Sequence, residues 1–322
     1  MKFKEKQKKI AEKLIKDGSP IFRADLGGAK FRGIPREFVL KDGTKNLFEP
    51  IKESVLQYFR DNAISWWGGQ KPTGHVLSSQ IACINYLYSI RKDKNSVLSI
   101  VKNLSSDFND ILMIESDKSN KGYIQFESIS DHDHLHEGTP TRGNNCTSID
   151  ALICAIHKDG SIWLILIEWK YTEHYSNQNK AIEGINNSKG KERKSRYTDL
   201  INNSSQLKNT SDHYCYYFEP FYQLMRQTLW AEQMIRNKEF ETIKADNYLH
   251  IHVIPSENER LLLKKYKCSG ENMETTWTEH LKDKSKYQII TPENLLSGIP
   301  ESEYSELLDY LRSRYWKKEI AD

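Results

Sequence analysis

Two apolar runs, Ser148 to His157 and Ser161 to Tyr171, are separated only by Lys158-Asp159-Gly160, and no other feature constrains this chain as strongly. Runs of this composition around a short glycine turn form an antiparallel hairpin. One face carries Leu152, Cys154 and Ile156 against Ile162, Leu164 and Leu166, the other Ile149, Ala151, Ile153 and Ala155 against Trp163, Ile165 and Ile167. A hairpin that is apolar on both faces belongs inside a sheet covered on both sides.

The turn decides which polar groups meet at the hairpin's end. If Lys158-Asp159-Gly160 is a three-residue loop with Gly160 left-handed, His157 pairs with Ser161 and paired residue numbers sum to 318. Asp150 then stands opposite Glu168 with Cβ atoms about 4.5–5.5 Å apart, and Lys170 follows on that face at about 7 Å. A two-residue Asp159-Gly160 turn would make the sum 319 and send the two acids to opposite faces. The three-residue loop is the preferred reading. Two unpaired carboxylates beside a core repel and cost several kcal/mol, so a cation should join them. Lys170 neutralises one charge and a divalent ion can bridge both; oxygen ligands without a nearby cysteine favour Mg²⁺ or Mn²⁺ over zinc.

Around the hairpin, helical and strand patterns alternate. Residues 1–17 read as a lysine-rich amphipathic helix packed through Ile10, Leu14 and Ile15. Residues 18–46 are rich in turns, Leu47 to Phe59 has helical spacing, and Trp66-Trp67-Gly68-Gly69 breaks it. Ser78-Ser79 suit the cap of a helix that carries no charge from Ile81 to Tyr88 and so belongs against a sheet. Two strands are expected within 110–128 around a Ser116 to Gly122 turn, then irregular chain from Ser130 to Asn145. Residues 184–213, dominated by Asn, Ser and Lys, read as a mobile loop. Pro220 opens a helix through Phe221, Leu224, Met225, Leu229 and Ile235; Tyr248 to Ile254 reads as a strand and Glu301 to Lys318 as a last helix. The fold class is α/β, a mixed central sheet flanked by helices, without the glycine-rich connections of a dinucleotide-binding domain.

At 322 residues the chain has room for one elaborated domain or two ordinary ones. Its most apolar window, Ile162 to Ile167, falls far short of the roughly 20 residues that cross a bilayer. No membrane partner is expected. Seven lysines in the first sixteen residues leave no apolar stretch for a secretory signal, and five scattered cysteines lack any CxxC pair, so a reducing, cytoplasmic setting is expected. A net charge of +3 does not diagnose nucleic-acid binding and leaves that question to local basic clusters.

An acid beginning one strand and Glu-x-Lys ending the next resembles the PD-(D/E)XK, or restriction-endonuclease-like, nuclease superfamily. Ser78-Ser79-Gln80, Arg142-Gly143-Asn144-Asn145-Cys146-Thr147-Ser148-Ile149-Asp150, Ile167-Glu168-Trp169-Lys170-Tyr171-Thr172-Glu173 and Glu219-Pro220-Phe221-Tyr222-Gln223-Leu224 look like a poorly characterised bacterial branch of it. The resemblance implies a restriction-endonuclease-like αβββαβ core within residues 71–322, with 1–70 as a helical and loop extension packed on it. It implies a metal-dependent DNA endonuclease of restriction or defence type. Asp150 and Glu168 would hold Mg²⁺ or Mn²⁺, the backbone carbonyl of Trp169 would add a ligand, and Lys170 would position the attacking water. A nuclease-fold protein that binds nucleic acid without cutting it is the alternative. Ile149 stands where the namesake motif has proline. Many relatives use an earlier acid, for which Glu127 is the first choice, Glu137 the second and Gln80 the third. Double-stranded DNA is the expected partner, and cutting two strands suits a homodimer.

Desolvated beside a metal, Lys170 is expected to lose its proton more readily than a free lysine. Expected nucleic-acid contacts are the basic cluster Lys189, Lys191, Arg193 and Lys194, Arg142 ahead of the Asp150 strand, and Gln223 and Arg226, which share helical spacing with Glu219 and Gln227. Trp66, Trp67 and Trp230 are candidates either for stacking on bases or for packing. His132, His134 and His136 alternate along an extended stretch, where solvated loop chemistry outranks a zinc site.

Overall fold

Gly160 takes φ +85°, its N–H reaches the carbonyl of His157 at 2.8 Å, and the N–H of His157 reaches the carbonyl of Ser161 at 3.0 Å. The turn is therefore the three-residue loop. In this computed structural model Ala151 pairs with Ile167, Leu152 with Leu166 and Cys154 with Leu164, all on the expected sum of 318. The structure describes residues 1–115 and 121–316.

The hairpin forms the centre of a six-stranded mixed sheet. Its strands are β1 (Phe108–Leu112), β2 (Ile124–Ser128), β3 (Ile149–His157), β4 (Ile162–Trp169), β5 (Asn247–Val253) and β6 (Tyr287–Ile290). β3 and β4 are antiparallel, and β5 and β6 continue in parallel beside β4. β1 and β2 share one edge of β3, β1 along its C-terminal half and β2 along its N-terminal half. Most of the Ser116 to Gly122 turn expected between them lies outside the described residues, as does the end of the last helix beyond residue 316.

The principal helices are α1 (Phe3–Lys16), α2 (Lys52–Asp61), α3 (Ser79–Leu87), α4 (Lys94–Leu104), α5 (Ser188–Asn202), α6 (Phe221–Arg236) and α7 (Glu301–Arg314). Read as α3, β2, β3, β4, α6 and β5, the chain has the restriction-endonuclease-like αβββαβ order. Two apolar cores cover the two faces of the sheet. Ala151, Ile153, Ile165 and Ile167 meet α3, α4 and the terminal helices on one side, and Leu152, Cys154, Leu164 and Leu166 meet α5 and α6 on the other. Ile149, expected with Ala151, joins the second core instead.

α3 is capped by Ser78, whose Oγ accepts from the Ile81 N–H, and it is buried from Ile81 to Leu87. Its Asn85 accepts from Phe48 N–H and donates to Asn46 O, Tyr310 Oη and Tyr315 Oη, which ties the segment ahead of α2 and the end of α7 to this helix. α1 docks through Phe3, edge-on to Tyr171, and through Gln7, which accepts from Tyr171 Oη at 2.8 Å.

The loop expected over 184–213 is instead largely α5. Polar composition suggested solvated chain, but Tyr197 and Ile201 bury against the second core, and Gly190 lies so close to the Ala181 carbonyl that a side chain there would collide. Tertiary packing supplies the helical stability that the local sequence lacks. β6 is too short to be read in advance, whereas α4 was legible and not read: Val97, Ile100, Val101 and Leu104 keep helical spacing behind the capping Asp93. Among the described residues, no helix is long and apolar enough to cross a membrane.

Candidate active site

Three acids fall in one row across neighbouring strands. Ala151 pairs with Ile167, which puts Asp150 opposite Glu168, and the pairs Phe126–Ala151 and Ser128–Ile149 put Glu127 opposite Asp150 on the other side. Glu127 holds φ +49°, a left-handed conformation costing of order 1–3 kcal/mol in a residue with a side chain. Its carboxylate accepts from Gln80 Nε2 at 2.7 Å and from Ser148 Oγ at 3.0 Å.

Asp150 accepts from the backbone N–H of Trp169 through Oδ2 at 2.8 Å, and its Oδ1 takes no hydrogen bond from the described residues. Glu168, only 2% exposed, is held from three sides. Lys170 Nζ donates to its Oε1 at 2.6 Å, Gln223 Nε2 to the same oxygen at 2.7 Å, and Gln227 Nε2 to Oε2 at 2.5 Å. Gln223 Oε1 accepts a second bond from Lys170 at 2.6 Å, so one amide on α6 orients both members of the pair. Gln80, Glu127, Asp150, Glu168, Lys170 and Gln223 line a cleft of about 530 Å³ with Lys4, Arg32, Trp67, His75 and Tyr175 on its walls.

Burial and the neighbouring charges of Glu168 and Glu127 push the Asp150 carboxyl well above its ordinary range. Burial likewise raises Glu127, against the hydrogen bonds from Gln80 and Ser148. Lys170 departs from expectation. Burial alone would lower it, but Glu168 at 2.6 Å, with Tyr175 and Asp150, holds the ammonium well above the usual lysine value. Pair formation outweighs desolvation, so in this arrangement Lys170 is a proton holder.

The donor set of the row fits a hard divalent cation: Glu127, Asp150 and Glu168 supply three carboxylates, one Asp150 oxygen is open, and His252, which pairs with Glu168 on β5, bonds Tyr287 Oη at 2.9 Å. The arrangement is nevertheless a closed one. Among the described residues no three His, Cys, Asp or Glu side chains are drawn together as a ready metal cage, and both Glu168 oxygens are already engaged. An ion bound to Glu168 would have to exchange places with one of those donors.

With this geometry in place, comparison with known families is decisive. A family model described as Restriction Endonuclease associating with ARP matches residues 4–316, nearly the whole chain. The chain belongs to that family. No curated protein and no solved structure gives a significant match.

Within this restriction endonuclease family member, the structure brings Asp150, Glu168, Lys170, Glu127, Gln80 and Gln223 to one cleft. Trp169 is buried against Tyr86 at 4.7 Å, directly beside that row in the chain. Lys189, Lys191 and Lys194 are exposed on α5, whereas Arg193 is tied to Glu183 at 2.9 Å and the carbonyl of Lys180 at 3.0 Å. Two other arginines face inward. Arg142 donates to Asn62 Oδ1, Tyr58 Oη and the carbonyl of Phe126, so its guanidinium is a strut within the fold. Arg226 donates to Glu137 at 2.9 Å, and that carboxylate also takes Thr147 and Tyr197, which places Glu137 outside the acidic row. His134 bonds Glu241 at 2.6 Å. Sequence reasoning gave no role to Ser148 or Lys4; for Gln227 the signal was present, four residues after Gln223 on one helical face.

Proposed function

We propose that this protein is a metal-dependent nuclease that hydrolyses phosphodiester bonds, a DNA endonuclease of restriction or defence type acting on double-stranded DNA. The observation that carries it is the row Glu127–Asp150–Glu168, with Lys170 bonded to Glu168, in a cleft on the restriction-endonuclease-like fold. The family description, a restriction endonuclease that associates with ARP, supports the same reading.

Asp150 and Glu168, with the Trp169 carbonyl and Glu127, would hold Mg²⁺ or Mn²⁺. Bound there, the ion would supply a water of lowered pKa and positive charge against the negative charge that develops on the phosphate. The chain's own contribution is orientation. Gln223 and Gln227 fix the Glu168 carboxylate, and the Trp169 N–H fixes Asp150. Lys170 carries a proton at Nζ, pointed by Glu168 and Gln223, and so can position the attacking water through a charge-assisted hydrogen bond. A homodimer would bring two such clefts to the two strands.

The test is digestion of supercoiled plasmid and linear DNA with Mg²⁺ or Mn²⁺ by wild type, Lys170→Ala and Asp150→Ala. Cleavage by wild type and its loss in both variants, with DNA binding retained, is the expected result. Unchanged turnover in both variants would discredit the assignment. The closed bonding of Glu168 favours one second reading, a nuclease fold that binds DNA without cutting, which predicts binding and no cleavage by any of the three proteins.

A further inference from the structure

The three tryptophans considered for base stacking part company in the fold. Trp66 is 7% exposed and stacked on Phe59 at 3.8 Å, and Trp230 is 1% exposed within the second core. Trp67 is 44% exposed and lies on the wall of the catalytic cleft.

Its surroundings set it apart from an ordinary surface aromatic. Phe31 sits 5.7 Å from the Trp67 ring and 4.6 Å from His75, which packs 5.2 Å from Phe38 beneath them. Burial lowers His75 to about 4, so this underlying ring is neutral at physiological pH. Phe31 is presented by the short pairing of Lys30–Phe31 with Ile34–Pro35, and Arg32 lies 5.4 Å over the Phe31 ring. The backbone N–H of Trp67 donates to Gln80 Oε1 at 2.9 Å, and Gln80 Nε2 donates to Glu127 at 2.7 Å. A single glutamine side chain thus connects the aromatic cluster to the acidic row, while Arg32 and Lys4 give the same cleft positive walls.

We propose that Trp67, backed by Phe31, is a stacking platform for one unpaired base of the DNA strand whose phosphodiester enters the acidic row, with Arg32 and Lys4 facing the adjacent phosphates. The proposal rests on the nuclease reading of the cleft and narrows its substrate. Phe31 lies 5.7 Å from Trp67 at a tilt of 33° and His75 stands perpendicular to it at 6.0 Å, so no base fits between these rings and the 44% of Trp67 left exposed is what a base can reach. A base within a continuous duplex has both faces covered by its neighbours; a bulged, terminal or single-stranded base does not. The preferred substrate therefore has a base out of the stack near the scissile bond.

The test uses the full chain and three DNA probes of one sequence: fully paired, paired with a single bulged base, and single-stranded. Binding is followed by fluorescence anisotropy without divalent metal, and cleavage is scored separately with Mg²⁺. Trp67→Ala should weaken the bulged and single-stranded probes on the order of tenfold and change the paired probe less than twofold. Trp67→Phe should retain most of the affinity, and Trp67→Leu, which keeps apolar bulk without a ring face, should lose it. Equal losses on all three probes, or none, overturn the platform, as does full affinity in Trp67→Leu. If wild type cuts DNA and Trp67 has no probe-selective effect, the platform fails and the nuclease reading stands. If no protein cuts and the selective loss persists, the platform stands without the nuclease.

Discussion

Lys170 Nζ lies 2.6 Å from Glu168 Oε1, with the two side chains only 7% and 2% exposed. A pair this buried does not stabilise in proportion to its shortness, because each charge has surrendered its water. Removing one partner, however, strands the other. Lys170→Ala should lower stability by about 3–5 kcal/mol, and adding Glu168→Gln should restore part of that loss by removing the orphaned charge. Urea denaturation of the two single variants and the double variant measures it; strictly additive losses would mean that the two residues do not interact.

The acidic row has the opposite bias. Asp150 is destabilised by burial beside Glu168 and Glu127, with only Lys170 and the Trp169 N–H to compensate. Asp150→Asn should therefore raise the melting temperature of the metal-free protein. Wild type should be stabilised by Mn²⁺, by about 2.7 kcal/mol at a concentration one hundred times the dissociation constant, and the variant should not. Thermal melts with and without Mn²⁺ check both; an equal Mn²⁺ response in the two proteins would remove Asp150 from the ligand set.

The hairpin was legible because its physics is local: two apolar runs, a glycine able to adopt φ +85°, and a pairing sum that puts Asp150 against Glu168. The charge-free α3 was legible for a similar reason, since uncharged helical sequence has to be covered. What could not be read is set by distant partners. α5 depends on Tyr197 and Ile201 finding a core and Gly190 finding the Ala181 carbonyl. The orientation of Arg142 depends on Tyr58 and Asn62, some eighty residues away. The protonation of Lys170 depends on whether pairing or desolvation prevails, which only the 2.6 Å separation decides.

The basic residues now divide by placement, and the division is measurable. Lys189, Lys191 and Lys194 are exposed on α5, where they can meet phosphates. Replacing all three by Ala should weaken DNA binding and reduce the slope of log affinity against log salt by about three. Arg142→Ala should leave that slope unchanged and instead lower the melting temperature, because it removes the donor to Asn62, Tyr58 and Phe126. Salt titrations of binding separate the two; a lower slope in Arg142→Ala would return that residue to the nucleic-acid surface.

Glu137 was a candidate for the acidic row and is instead the clamp behind it, taking Arg226 at 2.9 Å and Thr147 Oγ1 at 2.8 Å, and also bonding Tyr197. Burial alone would raise its carboxyl, but Arg226 and these hydrogen bonds prevail and hold it below its ordinary value of 4.5. A carboxyl lowered by folding contributes stability that is fully present above its unfolded pKa and disappears as pH falls through the folded one. Glu137→Gln should therefore be less stable than wild type at pH 7 by on the order of 3 kcal/mol, since the largely buried Arg226 loses its counter-charge. The deficit should persist down to the ordinary carboxylate range and close below it, as wild-type Glu137 also becomes neutral. Urea unfolding of both proteins between pH 7 and pH 3 follows that closure. A deficit that stays constant across the range would mean that the charge of Glu137, as opposed to its shape, contributes nothing to holding α5 and α6 behind the cleft.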